Sequence, residues 1–90
     1  MAIVRGNPEE MRRFAQSLRS FSSEMTSLIR RIDGQSKAIG QTWSDGQYQK
    51  FIQEWGQTST SLRRFVDVAQ KYETHVRKLA DRLEEYLNRS

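Results

Sequence analysis

The 90-residue chain has no cysteine, a single proline and five glycines. The absence of cysteine excludes a disulfide framework and thiolate chemistry. No stretch approaches the roughly 18 consecutive apolar residues that a membrane-spanning helix needs, and the first seven residues lack the apolar segment of a secretory signal peptide. Hydrophobic residues make up 36% of the chain. This is little for a compact monomer, because a small domain struggles to offset its chain entropy by burial.

Residues that carry chemistry are also sparse. The single histidine, His75, has no cysteine to pair with and lies beside the apolar line of the second predicted helix. Neighbouring acidic residues, such as Glu9-Glu10 and Glu84-Glu85, diverge around a helix surface instead of converging on one point. Neither a glycine-rich phosphate loop nor a nucleophile elbow occurs. The sequence therefore predicts a protein that is not an enzyme and holds no metal or other cofactor.

The charge balance is mildly basic, with 15 basic and 11 acidic residues and a net charge of +4. Many of the basic residues stand in pairs, namely Arg12-Arg13, Arg30-Arg31, Arg63-Arg64 and Arg77-Lys78. Acidic residues interleave with them, and no basic run exceeds two residues. A solvated helix surface is the favoured interpretation. A nucleic-acid-associated helical dimer that uses the arginine pairs is the alternative, and anionic lipid would suit the same pairs.

A first long helix is predicted over residues 8–40. Asn7 has the properties of an N-cap, Pro8 suits the first helical position, and two glutamates follow at the positive end of the helix dipole. Apolar residues then recur at alternating steps of three and four, which is a heptad pattern. They are Met11, Phe14, Leu18, Phe21, Met25, Leu28, Ile32 and Ile39, flanked by Ala15, Ser22, Ile29 and Ser36. We expect the helix to continue through Gly34, with a break there as the alternative, since an interior glycine costs about 1 kcal/mol.

The stretch Gly40–Phe51 separates this helix from a second one. Gly40 suits a helix end because glycine adopts positive φ without steric cost. Ser44, with a glutamine three residues later, has the form of a capping box, and Thr42, with an aspartate three residues later, is a competing register. Trp43 is a large apolar residue in a turn, so we expect it to pack back onto both helices.

The second helix is predicted over residues 46–88, after a turn at 41–45. Its heptad line reads Tyr48, Phe51, Trp55, Thr58, Leu62, Phe65, Ala69, Tyr72, Val76, Leu79, Leu83 and Tyr86. A short turn between two long helices makes them antiparallel neighbours. The chain is therefore predicted to be one all-α domain, 1–90, built as a helix-turn-helix hairpin.

Two thin helices cannot cover all the large side chains on these lines. We therefore expect two hairpins to dimerise into a four-helix bundle. The residues expected at the core and dimer seam are Phe14, Leu18, Phe21, Met25, Leu28, Trp55, Leu62, Phe65 and Tyr72. A thin apolar line on each helix does not by itself distinguish a homodimer from a heterodimer.

The central turn, placed between two helices in a chain of this length, resembles the WXG family, the ESAT-6-like proteins of bacterial type VII secretion. Trp43 corresponds to the family tryptophan. Asp45 stands where the family has its glycine, and Gly46 follows one position later. Phe51, eight positions after the tryptophan, matches the family's usual aromatic residue. The resemblance implies a helical hairpin that forms an antiparallel four-helix bundle as a dimer.

The resemblance also implies a non-enzymatic protein that acts through helix-face contacts, as a type VII-like secretion substrate or as the partner or chaperone of one. A homodimer is expected, and a heterodimer with a related helical protein or contact with a secretion-system component is the alternative. The family's C-terminal signal, a tyrosine followed four positions later by an acidic residue, does not form at Tyr72 or Tyr86. Export without a cleavable signal peptide would then use a partner's signal, or the protein stays in the cytoplasm. An intracellular coiled-coil adaptor is a further alternative.

Overall fold

The computed structural model describes residues 6–89 and shows two long helices joined by a short turn. Helix α1 spans Pro8–Ile39 and helix α2 spans Gly46–Asn88, against predicted bounds of 8–40 and 46–88. The helices lie side by side in opposite directions, in a hairpin that measures 68 × 23 × 13 Å. The predicted all-α hairpin fold is confirmed. Residues 1–5 and 90 of the predicted domain lie outside the described residues.

The start of α1 follows from its capping residues. The side-chain oxygen of Asn7 accepts hydrogen bonds from the backbone N–H groups of Glu9, at 2.9 Å, and Glu10, at 3.2 Å. These bonds satisfy two of the N–H groups that a helix leaves without an internal partner. Pro8 at the first position has no N–H to satisfy. Helix α1 is continuous through Gly34, so the alternative of a break at this glycine does not occur.

Small residues line the contact between the two helices. Ala15 on α1 and Ala80 on α2 are both fully buried. Among residues 6–89, the buried residues are Ala15, Ser22, Ile29 and Ser36 on α1, and Ser59, Val66, Ala69, Ala80 and Leu83 on α2. Alanine and serine allow the two backbones to approach closely, because the distance between packed helices depends on the side chains at the contact. The buried Ser22 hydroxyl donates to the Leu18 carbonyl at 2.9 Å, so its polar atom is satisfied.

The structure corrects the position of the core. The residues expected to flank the α1 line are the buried ones, and part of each predicted line is exposed. The most exposed large members of the predicted lines are Phe14, Leu28, Ile39, Phe51, Phe65, Tyr72 and Tyr86. Each predicted line therefore contains both exposed and half-buried residues. Leu18, Met25, Trp55 and Leu62 are half-buried along the contact between the helices. The physical reason is size, since an aromatic ring cannot fit where alanine and serine bring two backbones together.

The turn differs from its prediction in two respects. Asp45, and neither Ser44 nor Thr42, is the N-cap of α2. Gly40 has φ −62° and ψ −17°, so it continues the right-handed conformation instead of ending the helix with positive φ. No glycine among residues 6–89 has positive φ. The need for glycine at position 40 therefore has another cause, which lies in the packing of the turn.

Candidate functional site

One broad side of the hairpin is apolar and exposed. It is formed by Phe14, Phe21 and Leu28 on α1 and by Phe51, Phe65, Tyr72, Leu79 and Tyr86 on α2, and we call it the apolar face. All of them except Tyr86 directly precede a buried or half-buried residue at the contact between the two helices, so they lie about 100° around the helix from that contact. The rings of Phe21 and Phe65 meet edge to face, with centroids 5.5 Å apart. This ring contact places the lines of both helices on the same side of the hairpin.

The apolar face is substantially open to solvent. Phe14 and Phe65 each expose 54% of their surface, and Tyr72 exposes 53%. Only two positions on the same lines are polar, Gln35 and Thr58. An exposed apolar surface of this kind is typical of a site of protein association.

The apolar face ends in a hollow beside the turn. The hollow has a volume of about 680 Å³ and is lined by Ile32, Gln35, Ser36, Ala38, Ile39, Trp43 and Phe51. Trp43 is half-buried and packs edge to face on the ring of Tyr48, with centroids 5.2 Å apart. Trp43 thus contacts α2 through the Tyr48 ring, and on the α1 side it lines the same hollow as Ile39.

A tyrosine closes the turn against the end of α1. The Tyr48 hydroxyl donates at 2.9 Å to the Ser36 carbonyl, which also accepts the Gly40 backbone N–H at 3.2 Å. The Tyr48 ring lies directly over Gly40, where an added Cβ would come within 2.9 Å of the ring carbon Cζ. Position 40 therefore requires glycine because a side chain would occupy the space of the Tyr48 ring.

The first turn of α2 is held by Asp45. Its carboxylate accepts hydrogen bonds from the backbone N–H groups of Gln47, at 3.0 Å, and Tyr48, at 3.1 Å. The bond from the Tyr48 N–H is the largest cause that holds the pKa of Asp45 below its usual value, and the nearby Trp43 indole adds to it. Asp45 thus links the family-like tryptophan to the start of α2.

The side of the hairpin opposite the apolar face is polar and carries charged contacts between the helices. The Arg12 guanidinium pairs with Asp81 at 2.8 Å and with Glu84. Arg77 pairs with Glu73 at 3.0 Å within α2 and donates to a side-chain oxygen of α1, that of Gln16, at 3.2 Å. The hairpin therefore has two unlike sides.

Asp33 accepts hydrogen bonds from two side chains of α2. The Trp55 indole Nε1 donates to one carboxylate oxygen at 2.7 Å, and the Arg63 guanidinium pairs with the other at 2.6 Å. The Trp55 bond is the largest cause that lowers the pKa of Asp33, and the bond and charge of Arg63 add to it. Sequence reasoning missed this cluster because it treated Trp55 as purely apolar and Asp33 as a solvated charge.

The residues considered for chemistry lie apart. His75 is exposed and meets the Tyr72 ring edge to face, at a centroid distance of 6.3 Å. Within residues 6–89, no group of three or more histidine, aspartate or glutamate side chains is placed to hold a metal ion. In the same part of the chain, neither helix is long and apolar enough to cross a membrane.

The comparison with protein families decides the identity of the fold. The model of the family described as proteins of 100 residues with WXG, WXG100, matches residues 3–86. The chain belongs to the WXG100 family. The resemblance expected from Trp43 and its neighbours is thus confirmed. An ESAT-6-like protein of Streptococcus agalactiae is 22% identical over 85 residues, which cover 94% of this chain and 88% of that protein.

Solved structures of similar proteins share the hairpin fold. EsxA of Geobacillus thermodenitrificans is 25% identical, with a TM-score of 0.88 over 97% of this chain and 95% of that chain. EsxB of Bacillus anthracis, which is described as a secreted protein, is 23% identical, with a TM-score of 0.78 over 96% of this chain and 98% of that chain. The dimeric four-helix bundle is the known arrangement for this WXG100 fold. The apolar face is the surface that such a bundle would bury.

Proposed function

We propose that this WXG100 protein is a non-enzymatic substrate of a type VII-like secretion system, or the partner or chaperone of such a substrate. It acts as a four-helix dimer whose apolar face is the protein-binding surface. The observation that carries this proposal is the open apolar face, with Phe14, Phe65 and Tyr72 each more than half exposed. The secreted character of the related EsxB protein and the family match support the assignment to export.

We further propose that the partner in the dimer is a second copy of this chain. The apolar face carries no charged side chain on its lines, so two copies can meet without unpaired buried charges. A two-fold axis brings the same patch of both copies together. In an antiparallel arrangement the hollow beside Trp43 in one protomer faces the Phe14 end of the other. A related helical protein with a similar apolar face would be the heterodimeric alternative.

The arrangement of the arginines speaks against a nucleic-acid function that uses the arginine pairs. One member of each of three pairs, Arg12, Arg63 and Arg77, bonds a carboxylate of its own chain. These side chains stabilise the hairpin and are not presented to a phosphate backbone as pairs. We therefore do not expect the two basic side chains of each pair to bind a nucleic-acid phosphate together.

Export is tested by the distribution of the protein between cells and medium. The tagged protein is expressed in a bacterium with a functional type VII system and in the same strain without the system's ATPase. We expect the protein in the medium of the first strain only, with a cytoplasmic marker absent from both media. Equal retention of this protein in the cells of both strains, with and without co-expressed WXG100 partners of the host, would contradict the proposal.

A further inference from the structure

The outward surface of α2 carries a row of basic residues. Arg64, Lys71 and Lys78 lie seven residues apart, and Val68, His75 and Arg82 follow the same spacing beside them. We call these six residues, of which only Val68 is apolar, the basic stripe. Each member stands two positions from a residue of the hairpin contact line, so it lies about 200° around the helix from that contact. The stripe runs about 27 Å along α2, from residue 64 to residue 82.

All six residues of the basic stripe are exposed. Within residues 6–89, the structure shows no ion pair at Arg64, Lys71, Lys78 or Arg82. The acidic residues of the same segment lie beside the stripe, toward the polar side of the hairpin. Asp81 pairs with α1, Glu73 pairs with Arg77, and Asp67 lines a groove on the polar side. These four cations therefore lie on one line without an ion pair to the described carboxylates of the hairpin.

A shallow hollow interrupts the basic stripe at its middle. It has a volume of about 520 Å³ and is lined by Lys71, Tyr72, Thr74, His75 and Lys78. Two ammonium groups and an imidazole therefore border a space that suits a phosphate group, and the Tyr72 ring of the apolar face forms one edge of it. The α1 surface has no equivalent, since its outward arginines, Arg13 and Arg31, alternate with Glu10 and Glu24.

The geometry of the basic stripe distinguishes its possible partners. The stripe follows the outermost line of a straight rod, so a flat surface can meet all four cations at once. The phosphate backbone of duplex DNA winds around its axis and would meet such a line only where the two cross. Val68, which is 43% exposed between the cations, adds an apolar contact that suits the headgroup boundary of a bilayer.

We propose that the basic stripe is a docking surface for anionic phospholipid headgroups, with a lipid phosphate seated between Lys71 and Lys78. Arg64, Lys71 and Lys78 each directly precede a residue of the apolar face, so they lie about 100° around α2 from that face and stay accessible in the four-helix dimer. Binding is peripheral and electrostatic, because the stripe attracts the negative surface potential of the bilayer without inserting into the membrane.

Vesicle binding tests the proposal. The full-length protein is titrated with phosphatidylcholine vesicles and with vesicles that contain about one third phosphatidylglycerol, at physiological salt. We expect binding only to the anionic vesicles. The double variant Lys71→Gln/Lys78→Gln should bind about 25-fold more weakly, since each cation near an anionic surface contributes about fivefold. The matched control is Arg13→Gln/Arg31→Gln, which removes the same charge from the outward surface of α1.

Each outcome decides the proposal. Loss of binding in the Lys71/Lys78 variant, with less than about a threefold change in the control, supports the basic stripe. An equal loss in both variants would show that net charge alone attracts the protein and would overturn the proposal. Absence of binding to anionic vesicles would overturn it as well. Tighter binding to short duplex DNA than to the vesicles at the same salt would assign the stripe to nucleic acid instead.

Discussion

Asp33 connects the two helices through both of its carboxylate oxygens. Trp55 and Arg63, about two turns apart on α2, donate to it at 2.7 Å and 2.6 Å. The cluster lies at the position where Gly34 weakens α1, so a contact between the helices supports the segment with the poorest intrinsic helix propensity. The lowered pKa of Asp33 makes this support dependent on pH.

The first prediction concerns acid sensitivity. A carboxylate with a lowered pKa in the folded state contributes stability above its ordinary value, about 3.9, and loses it as the pH falls through the lower folded value. Asp33→Asn should therefore lower the melting temperature at pH 7 and reduce the further decrease between pH 7 and pH 3. Thermal melts followed by circular dichroism measure both effects. Asp67→Asn is the control, because Asp67 is exposed and forms no ion pair within residues 6–89. Equal pH profiles for both variants would refute the role of Asp33.

The second prediction concerns glycines of the same helix. Gly40→Ala should destabilise the hairpin by about 1–3 kcal/mol, because the added Cβ displaces the Tyr48 ring. Gly34→Ala should instead stabilise it by about 0.5–1 kcal/mol, since nothing lies within 4 Å of its added Cβ. Chemical denaturation measures both changes. In a Tyr48→Ala background the cost of Gly40→Ala should disappear, and a cost that persists there would disprove the packing explanation.

At the scale of the helices, capping residues predict that a helix begins in a given segment, but they do not always predict the exact residue at which it begins. Asn7 and Pro8 predicted the start of α1 because few other residues suit those positions. The start of α2 offers three neighbouring candidates, Thr42, Ser44 and Asp45, which all have capping side chains. Their choice depends on where Trp43 and Tyr48 pack, which is a tertiary contact and so does not follow from local sequence.

The third prediction tests that register. Asp45→Ala should lower the melting temperature by about 4–8 °C, the usual effect of losing an N-cap in a domain of this size. Ser44→Ala should change it by less than about 2 °C, because Ser44 does not cap α2. Differential scanning calorimetry of the two variants gives the comparison. A larger effect at Ser44 than at Asp45 would restore the capping box that the sequence suggests.

The periodicity of each helix predicted an apolar stripe, but it did not predict the inner edge of the stripe, which is the part that contacts the other helix. Steps of three and four mark a stripe about three positions wide, and any neighbouring pair of these positions could face the other helix. The large residues drew attention to Phe14, Phe21 and Phe65. The structure assigns the inner edge to Ala15 and Ala80, because small residues permit close approach whereas composition alone gives them little weight. The seven-residue recurrence of alanine and serine is the signal that could have located this edge.

At the scale of the whole molecule, the hairpin presents three surfaces of different chemistry. The apolar face suits a second hairpin, the polar side holds the two helices together through Arg12, Asp33 and Arg77, and the basic stripe faces outward from α2. Only the first could be expected from the sequence, through the family resemblance of the Trp43 turn and the excess of large apolar residues. The polar contacts join residues 22 to 72 positions apart, so local patterns do not indicate them.

The association of two hairpins through the apolar face is the central claim, and the solution mass measured by light scattering tests it most directly. We expect the wild-type protein to have twice the mass of the 10.6 kDa chain. Phe65→Asp should halve that mass, because it places a charge in the buried centre of the bundle. Thr74→Asp, which introduces the same charge at an exposed position about 180° around α2 from Phe65, should remain dimeric. Circular dichroism verifies that both variants keep their helices. A wild-type monomer at micromolar concentration, or equal dissociation of both variants, would contradict the account.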